Sequence, residues 1–430
     1  MKIKKQTLNS LVEYILIVVF FVLSLINIPL LIISFLVSLI YLKQRHVGIL
    51  KILILLVFRF IISEGIDNVS GNSIVSYLKY LTLLVIAPIY LIINYKTLKR
   101  KQTIAKFMIS TVSLMIIFIL ISIIATDFPL IALMKVINYF LPLMIIILLM
   151  LMIEKKEEFF FWTCDIFKII IVFSMLFIIS PIGYLRNGIS LQGIVNHPNL
   201  FGILLVIAIQ MFFIEVAIKK KLTIIQTFII LLSIYELLLT NSRTSLLSLF
   251  VCITIFFIIS KIKLIYKIIT LFVLLIGSII LYLTPATNEF VTSYIQKGQS
   301  SDQILLSRYG QIDNTIFVLH ESPIFGIGFG IPVNRTSLEL NSFVFEAGNL
   351  LFGLLIYVGI FGAICYLIYL FYIIFINKKI NRNIFPLFIA TLLINMGELV
   401  MFSSNNVGII CYIVWGFYLQ ERLGKKYEAI

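Results

Sequence analysis

Two arginines stand where an anion could be held. Arg243 sits in TNSRTSLLSLF, after a short polar turn and at the head of an apolar run. A helix N-terminus offers unpaired N–H groups, and arginine beside Ser242 and Thr244 adds a planar donor fork. That combination suits phosphate. The alternative for Arg243 is an anchor to lipid headgroups. Arg308 follows Leu305 by three residues and precedes Ile312 by four. It therefore borders the apolar face of a helix expected over 301–319, capped by Ser301 and striped by Leu305, Ile312, Ile316 and Leu319.

Other polar residues gather near the same ends of the apolar runs. His197, in GIVNHPNLFG before Pro198 and Asn199, is either a proton acceptor near neutral pH or a helix cap. His320, in LHESPIFGIGFG, either ends the loop helix, where a cation suits the dipole, or takes part in catalysis. Lys135, Glu236, Asn241, Asn395, Glu398 and the run Ser403 to Asn406 could line one outward cavity with His197, Asn199, Arg308 and Glu346. Each could instead snorkel to the interface. Gly326, Gly328 and Gly330 form GxGxG with no strand before them, which reads as a turn. No metal-ligand spacing, Walker motif or Ser–His–Asp arrangement occurs, so neither metal, cofactor nor ATP-driven transport is expected. The four cysteines lie singly in apolar runs and read as packed hydrophobes.

The elements that must position these residues follow from composition. Of 430 residues, 61% are hydrophobic and only 12% charged, with a mean hydropathy of +1.13. Such a chain must turn apolar surface to lipid, where backbone is helical or a closed barrel. The long runs lack the alternation of a barrel. The expectation is an all-α polytopic bundle forming a single transmembrane domain, 1–430.

Spans are expected at about 47–63, 76–95, 107–125, 130–152, 159–179, 200–218, 223–239, 244–260, 268–284, 348–376, 384–402 and 407–419. Leu11 to Leu42, broken at Asn27-Ile28-Pro29, is expected as a two-helix hairpin, which brings the total to about fourteen crossings. Lys2, Lys4 and Lys5 precede a run too long for a signal-peptide core, so the first helix is expected to remain as a span. A net charge of +15 could suggest nucleic acid, but in such a chain basic residues collect in cytoplasmic loops, and no nucleic-acid partner is expected. Of the 34 lysines and arginines, 25 fall in segments expected inside and eight outside. That bias places the chain in the cell membrane with both termini cytoplasmic. Two segments are expected outside: 180–199, which contains Arg186, and a large loop over 285–347.

The order GIVNHPNLFG, TNSRTSLLSL, SRYGQIDNTIFVLHESPIFGIGFG and GNLLFGLLIYVGIFG resembles the O-antigen ligase and Wzy polysaccharide-polymerase superfamily, from about Gly193 to Gly362. The resemblance implies a GT-C-like glycosyltransferase acting on glycans carried by undecaprenyl pyrophosphate at the outer face. It implies no nucleotide sugar and no obligatory metal. It gives Arg243 and Arg308 the donor pyrophosphate, with Glu346, His197 and His320 as candidate bases. Ser242, Asn349, Asn199, His320 and Arg186 are the candidate substrate contacts. The ligase pattern is His-Asn, nine residues, then GxxG; here Gly348 stands at the histidine position before Asn349. This departure points to a repeat-unit polymerase, partnered by lipid-linked donor and acceptor glycans, the bilayer and a chain-length regulator. The alternatives are a polysaccharide ligase and a lipid-linked oligosaccharide flippase.

Overall fold

The computed structural model describes residues 2–67, 72–98, 102–185, 188–259, 306–333, 348–377, 381–403 and 407–420. The apolar runs form helices because in lipid each backbone donor and acceptor must be satisfied within its own segment. In chain order these are α1 (Lys2–Ile26), α2 (Ile28–Ser38), α3 (His46–Phe60) and α4 (Ser73–Ile93). Next come α5 (Gln102–Ala125), α6 (Pro129–Met152), α7 (Lys156–Met175), α8 (Pro198–Lys219), α9 (Ile224–Leu239) and α10 (Arg243–Ile259). After the undescribed stretch come α11 (Leu306–Glu321), α12 (Leu350–Phe375), α13 (Phe385–Ile394) and α14 (Gly408–Leu419).

The hairpin at 11–42 forms as expected. Asn27 ends α1 in extended backbone, and its side chain accepts from Leu30 N at 2.9 Å to cap α2. The chain then returns beside itself: Gln44 Nε2 donates to Glu13 Oε1 at 3.3 Å, and Lys51 pairs with the same carboxylate at 2.8 Å.

Among the described residues, α4, α5, α6, α8 and α12 are long and apolar enough to cross a membrane. Six shorter apolar helices of 10–17 residues accompany them. The chain is thus an all-α, multi-pass membrane protein, with fewer full-length spans than the about fourteen runs of hydropathy suggest. The run at 268–284 lies outside the described residues. Another run, 384–402, is not one helix: α13 stops at Ile394, because the Asn395 side chain takes over the backbone N–H groups of Val400 and Met401. Irregular backbone at membrane depth is tolerable where protein surrounds it, and Asn395 is fully buried.

The centre of the bundle is helix packed by helix. In α8 the most apolar window is 83% buried, and every residue of α14 is buried. Such helices are hydrophobic all round because they meet protein on every side. Two clusters of charge inside the spans are paired, which offsets their cost in hydrocarbon. Lys168 bridges Asp165 and Glu215 at 2.9 Å each, and Glu215 also meets Lys219 at 2.6 Å. Arg59 is fully buried, gripping Asp67 through both terminal nitrogens at 2.8 and 2.7 Å and the Ser24 carbonyl at 2.9 Å. The bond to Ser24 ties α1 of the hairpin to α3, and Asp67 supplies the counter-charge. Asp67→Ala leaves a buried guanidinium without its counter-charge, so a loss of about 3–5 kcal/mol is expected. Thermal unfolding in detergent checks it: a melting temperature equal to wild type would contradict the assigned role.

Candidate functional site

The irregular stretch after α13 is where the polar residues converge. Asn395 Nδ2 donates to the Thr391 carbonyl at 2.6 Å, while its Oδ1 accepts from Val400 and Met401 at 2.9 and 2.8 Å. Its own carbonyl accepts from Leu350 N, the first residue of α12, at 2.8 Å. Gly397 faces the first turn of α10 so closely that a Cβ there would lie 2.2 Å from Thr244 Oγ1. Glu398 Oε1 accepts a hydrogen bond from Asn199 Nδ2, in the first turn of α8. The N-termini of α8, α10 and α12 therefore meet on residues 395–398. Several of their first N–H groups are already capped, but each helix brings the positive end of its dipole, which favours an anion at this end of the bundle.

Arg243 opens α10 at that junction. The turn before it is short because Asn241 adopts φ 54°, a left-handed conformation that asparagine tolerates. Thr240 Oγ1 accepts from Ser242 N at 3.2 Å and steadies the turn. The Ser242 hydroxyl donates to Ser245 Oγ at 2.8 Å, and both serines pack on Gly202 of α8. Ser242 thus serves the seam between α8 and α10 and sets where Arg243 begins its helix. The Nε of Arg243 is buried and has no hydrogen-bond partner among the described residues. In the last turn of α9, both carboxylate oxygens of the fully buried Glu236 are likewise without a partner among those residues. Unpaired buried polar atoms cost about 1–3 kcal/mol each, so both groups call for a partner.

The segment 180–199 lies across this end as a folded cover. Tyr184 pairs with Leu191 and Ile62 with Val195 in isolated bridges. Ser63 N donates to the Ile194 carbonyl at 2.9 Å, and Leu191 N to the Leu239 carbonyl at the same distance. It delivers His197, whose Nδ1 accepts from Asn199 N at 3.3 Å and caps α8. Of the two sequence readings for His197, the capping one describes this geometry. Arg186 and Glu346 lie outside the described residues.

After α11 the chain runs through the glycine-rich turn, which meets α12. α12 is broken at Gly359 (φ 63°, ψ −170°), which frees backbone groups on both sides of the break. The turn takes them up: Ile327 N donates to Ile356 O at 3.0 Å and Gly328 N to Tyr357 O at 3.1 Å. In the opposite sense, Ile360 N donates to Pro323 O at 2.9 Å and Phe361 N to Ile324 O at 3.2 Å. At Gly326 (φ 66°) a Cβ would lie 2.5 Å from Ile356 O, so only glycine fits the approach. The GxGxG motif is a turn, as its spacing suggests, and its work is to lock the loop into α12. Lys135 of α6 runs alongside Gly330.

The loop helix α11 starts within the range expected for it, but its buried face differs. Thr315 and Val318 are buried, whereas Ile316 is 61% exposed, so the expected stripe of isoleucines and leucines is not the packed one. Arg308 lies one turn before Gln311 on the face that continues to Thr315; its side chain is outside the described part. His320 is in the last turn, its side chain 87% exposed and 3.8 Å from Glu321, about 13 Å along the helix from Gln311. The structure does not bring it to the junction. Asn349 caps α12, accepting from Phe352 N at 2.8 Å. Sequence patterns did not single out Gln311, whose Oε1 is buried and has no partner among the described residues. An isolated glutamine in a loop helix carries no spacing signal.

These features define a class: a multi-pass helical membrane protein with an anion-favouring junction at one end, closed by a folded segment and a loop pinned to a broken helix. Residues 228–367, from α9 through most of α12, match the family model described as O-Antigen ligase (Wzy_C), and the chain carries that domain. The comparison with curated proteins found no match.

Proposed function

We propose that the protein polymerises undecaprenyl-pyrophosphate-linked oligosaccharide repeats of an O-antigen, capsule or exopolysaccharide, at the outer face of the cell membrane and within a GT-C-like architecture. The observation that carries this reading is the buried, unpartnered Nε of Arg243 at the junction of three helix N-termini. The O-antigen ligase domain match includes that residue.

The growing chain on its lipid diphosphate is the donor. A non-reducing-end hydroxyl of a newly arrived lipid-linked repeat attacks the donor's anomeric carbon. The bond from that carbon to the diphosphate oxygen breaks, and the diphosphate leaves with the electron pair. Negative charge grows on the leaving oxygens, where a preorganised guanidinium and helix N-termini act most strongly. Arg308, on the loop helix, is the second diphosphate ligand in this reading, and Arg186 is a further candidate substrate contact. The hydroxyl proton passes to a carboxylate, with Glu346 the candidate nearest the motifs. Ser242, Asn199 and Asn349 act by holding the starts of α10, α8 and α12 in place. Transfer of finished glycan to another acceptor would use the same donor chemistry.

A flippase would use broken helices to line a path near mid-membrane. Here the break in α12 is closed by four backbone hydrogen bonds from the loop turn, which favours a fixed site over a moving gate. Expression of Arg243→Ala or Arg308→Ala in place of wild type is expected to accumulate single lipid-linked repeats. Normal chain lengths in both would refute the assignment.

A further inference from the structure

Gly348 stands immediately before the cap of α12 with φ 78°, and α11 packs across it. A Cβ on Gly348 would fall 2.0 Å from Cδ of Gln311 and 2.1 Å from both its Nε2 and Oε1. The Gln311 carboxamide therefore fills the space that a side chain at 348 would enter. Its Oε1 is buried and unpartnered among the described residues, although a carbonyl oxygen left unpaired is unfavourable. That atom can only accept a hydrogen bond, so its partner must be a donor. An ionised diphosphate has no proton to donate and would be repelled; a sugar hydroxyl has one. Gln311 and Arg243 also address the junction through different contacts. Gly348 is two residues from Leu350, which bonds Asn395, while Arg243 adjoins Thr244 against Gly397. The leaving group and the attacking partner must occupy separate sides of the reacting carbon.

We propose that Gln311 Oε1 accepts a hydrogen bond from a hydroxyl of the incoming acceptor glycan, the loop helix supplying the polar contact that Gly348 cannot. The inference rests on the polymerase reading and names its acceptor subsite. A carboxamide does not take up a proton near neutral pH, so Gln311 orients the acceptor rather than deprotonating it.

The test uses the full-length protein in lipid nanodiscs with two separated substrates isolated as the native repeat. One is a lipid-diphosphate donor whose non-reducing-end hydroxyls are methylated; the other is an acceptor repeat as a simple glycoside without diphosphate. Gln311→Met, which keeps length and removes the acceptor oxygen, is expected to raise KM for the acceptor about tenfold and leave donor KM within about twofold. Gln311→Glu, which keeps accepting oxygens, is expected to stay close to wild type in acceptor KM. An unchanged acceptor KM in Gln311→Met, or a rise in donor KM instead, overturns the proposal while the polymerase reading stands. No elongation by wild type with either this glycoside or the lipid-linked repeat as acceptor overturns that reading and this contact together.

Discussion

Arg243→Lys is expected to lower turnover of lipid-linked repeats by about 10²-fold, and Arg243→Ala by about 10³-fold, with substrate KM changing far less. Lysine keeps the charge but loses the planar fork that meets two diphosphate oxygens together. The ammonium also cannot reproduce Nε, the atom that is buried without a partner at the head of α10. Because charge on the leaving diphosphate grows toward the transition state, the loss belongs in kcat more than in binding. Single-turnover elongation by purified variants measures it. If Arg243 only anchored the helix to lipid headgroups, lysine would serve as well, and Arg243→Lys would turn over at the wild-type rate.

The second large effect is structural. Gly359→Val is expected to cost more than about 3 kcal/mol, enough to lower the melting temperature sharply and reduce yield. Its φ of 63° disfavours a β-branched residue, and a Cβ there would lie 2.3 Å from the Ile324 carbonyl oxygen. That neighbour is backbone and cannot swing aside. Relief requires the 323–328 turn to withdraw, which breaks the four backbone hydrogen bonds that fasten the loop to α12. Limited proteolysis adds a local readout, since cleavage between α11 and α12 should accelerate in a variant that still folds. A Gly359→Val protein with wild-type melting and proteolysis would show that the break does not hold the loop.

Hydropathy makes the class and most of the helices legible, because the constraint on backbone in lipid is absolute and local. The two N-terminal helices, α5, α6 and α8 fall where their apolar runs place them. What hydropathy misses is the interior of the polar end. A run such as 384–402 reads as one span, since Leu, Ile and Phe dominate it, yet a single asparagine with three side-chain hydrogen bonds stops the helix inside it. The face of α11 is misread for a related reason. Ile316 looks like core by periodicity, but Thr315 and Val318 are what the neighbouring helix covers. Lys79, a charge within the run 76–95, is buried with its Nζ 4.4 Å from the Phe60 ring centre, a contact the run does not show.

The candidate site divides in the same way. Arg243, His197 and Asn199 are visible because polar residues at the head of an apolar run are rare, and all three do stand at helix starts that meet. Their division of labour is invisible in one dimension: Asn199 binds Glu398, which lies 199 residues along the chain. Gln311 is hidden more deeply, since its significance depends on a glycine from another element. Contacts of that kind are created by packing, and no spacing encodes them.

Proteoliposomes holding only the purified chain, an undecaprenyl-pyrophosphate-linked repeat in one leaflet and no nucleotide sugar distinguish elongation from transport. A ladder of products at multiples of the repeat, absent with Arg243→Ala, is the expected result. Repeat units that cross to the opposite leaflet without lengthening would contradict it.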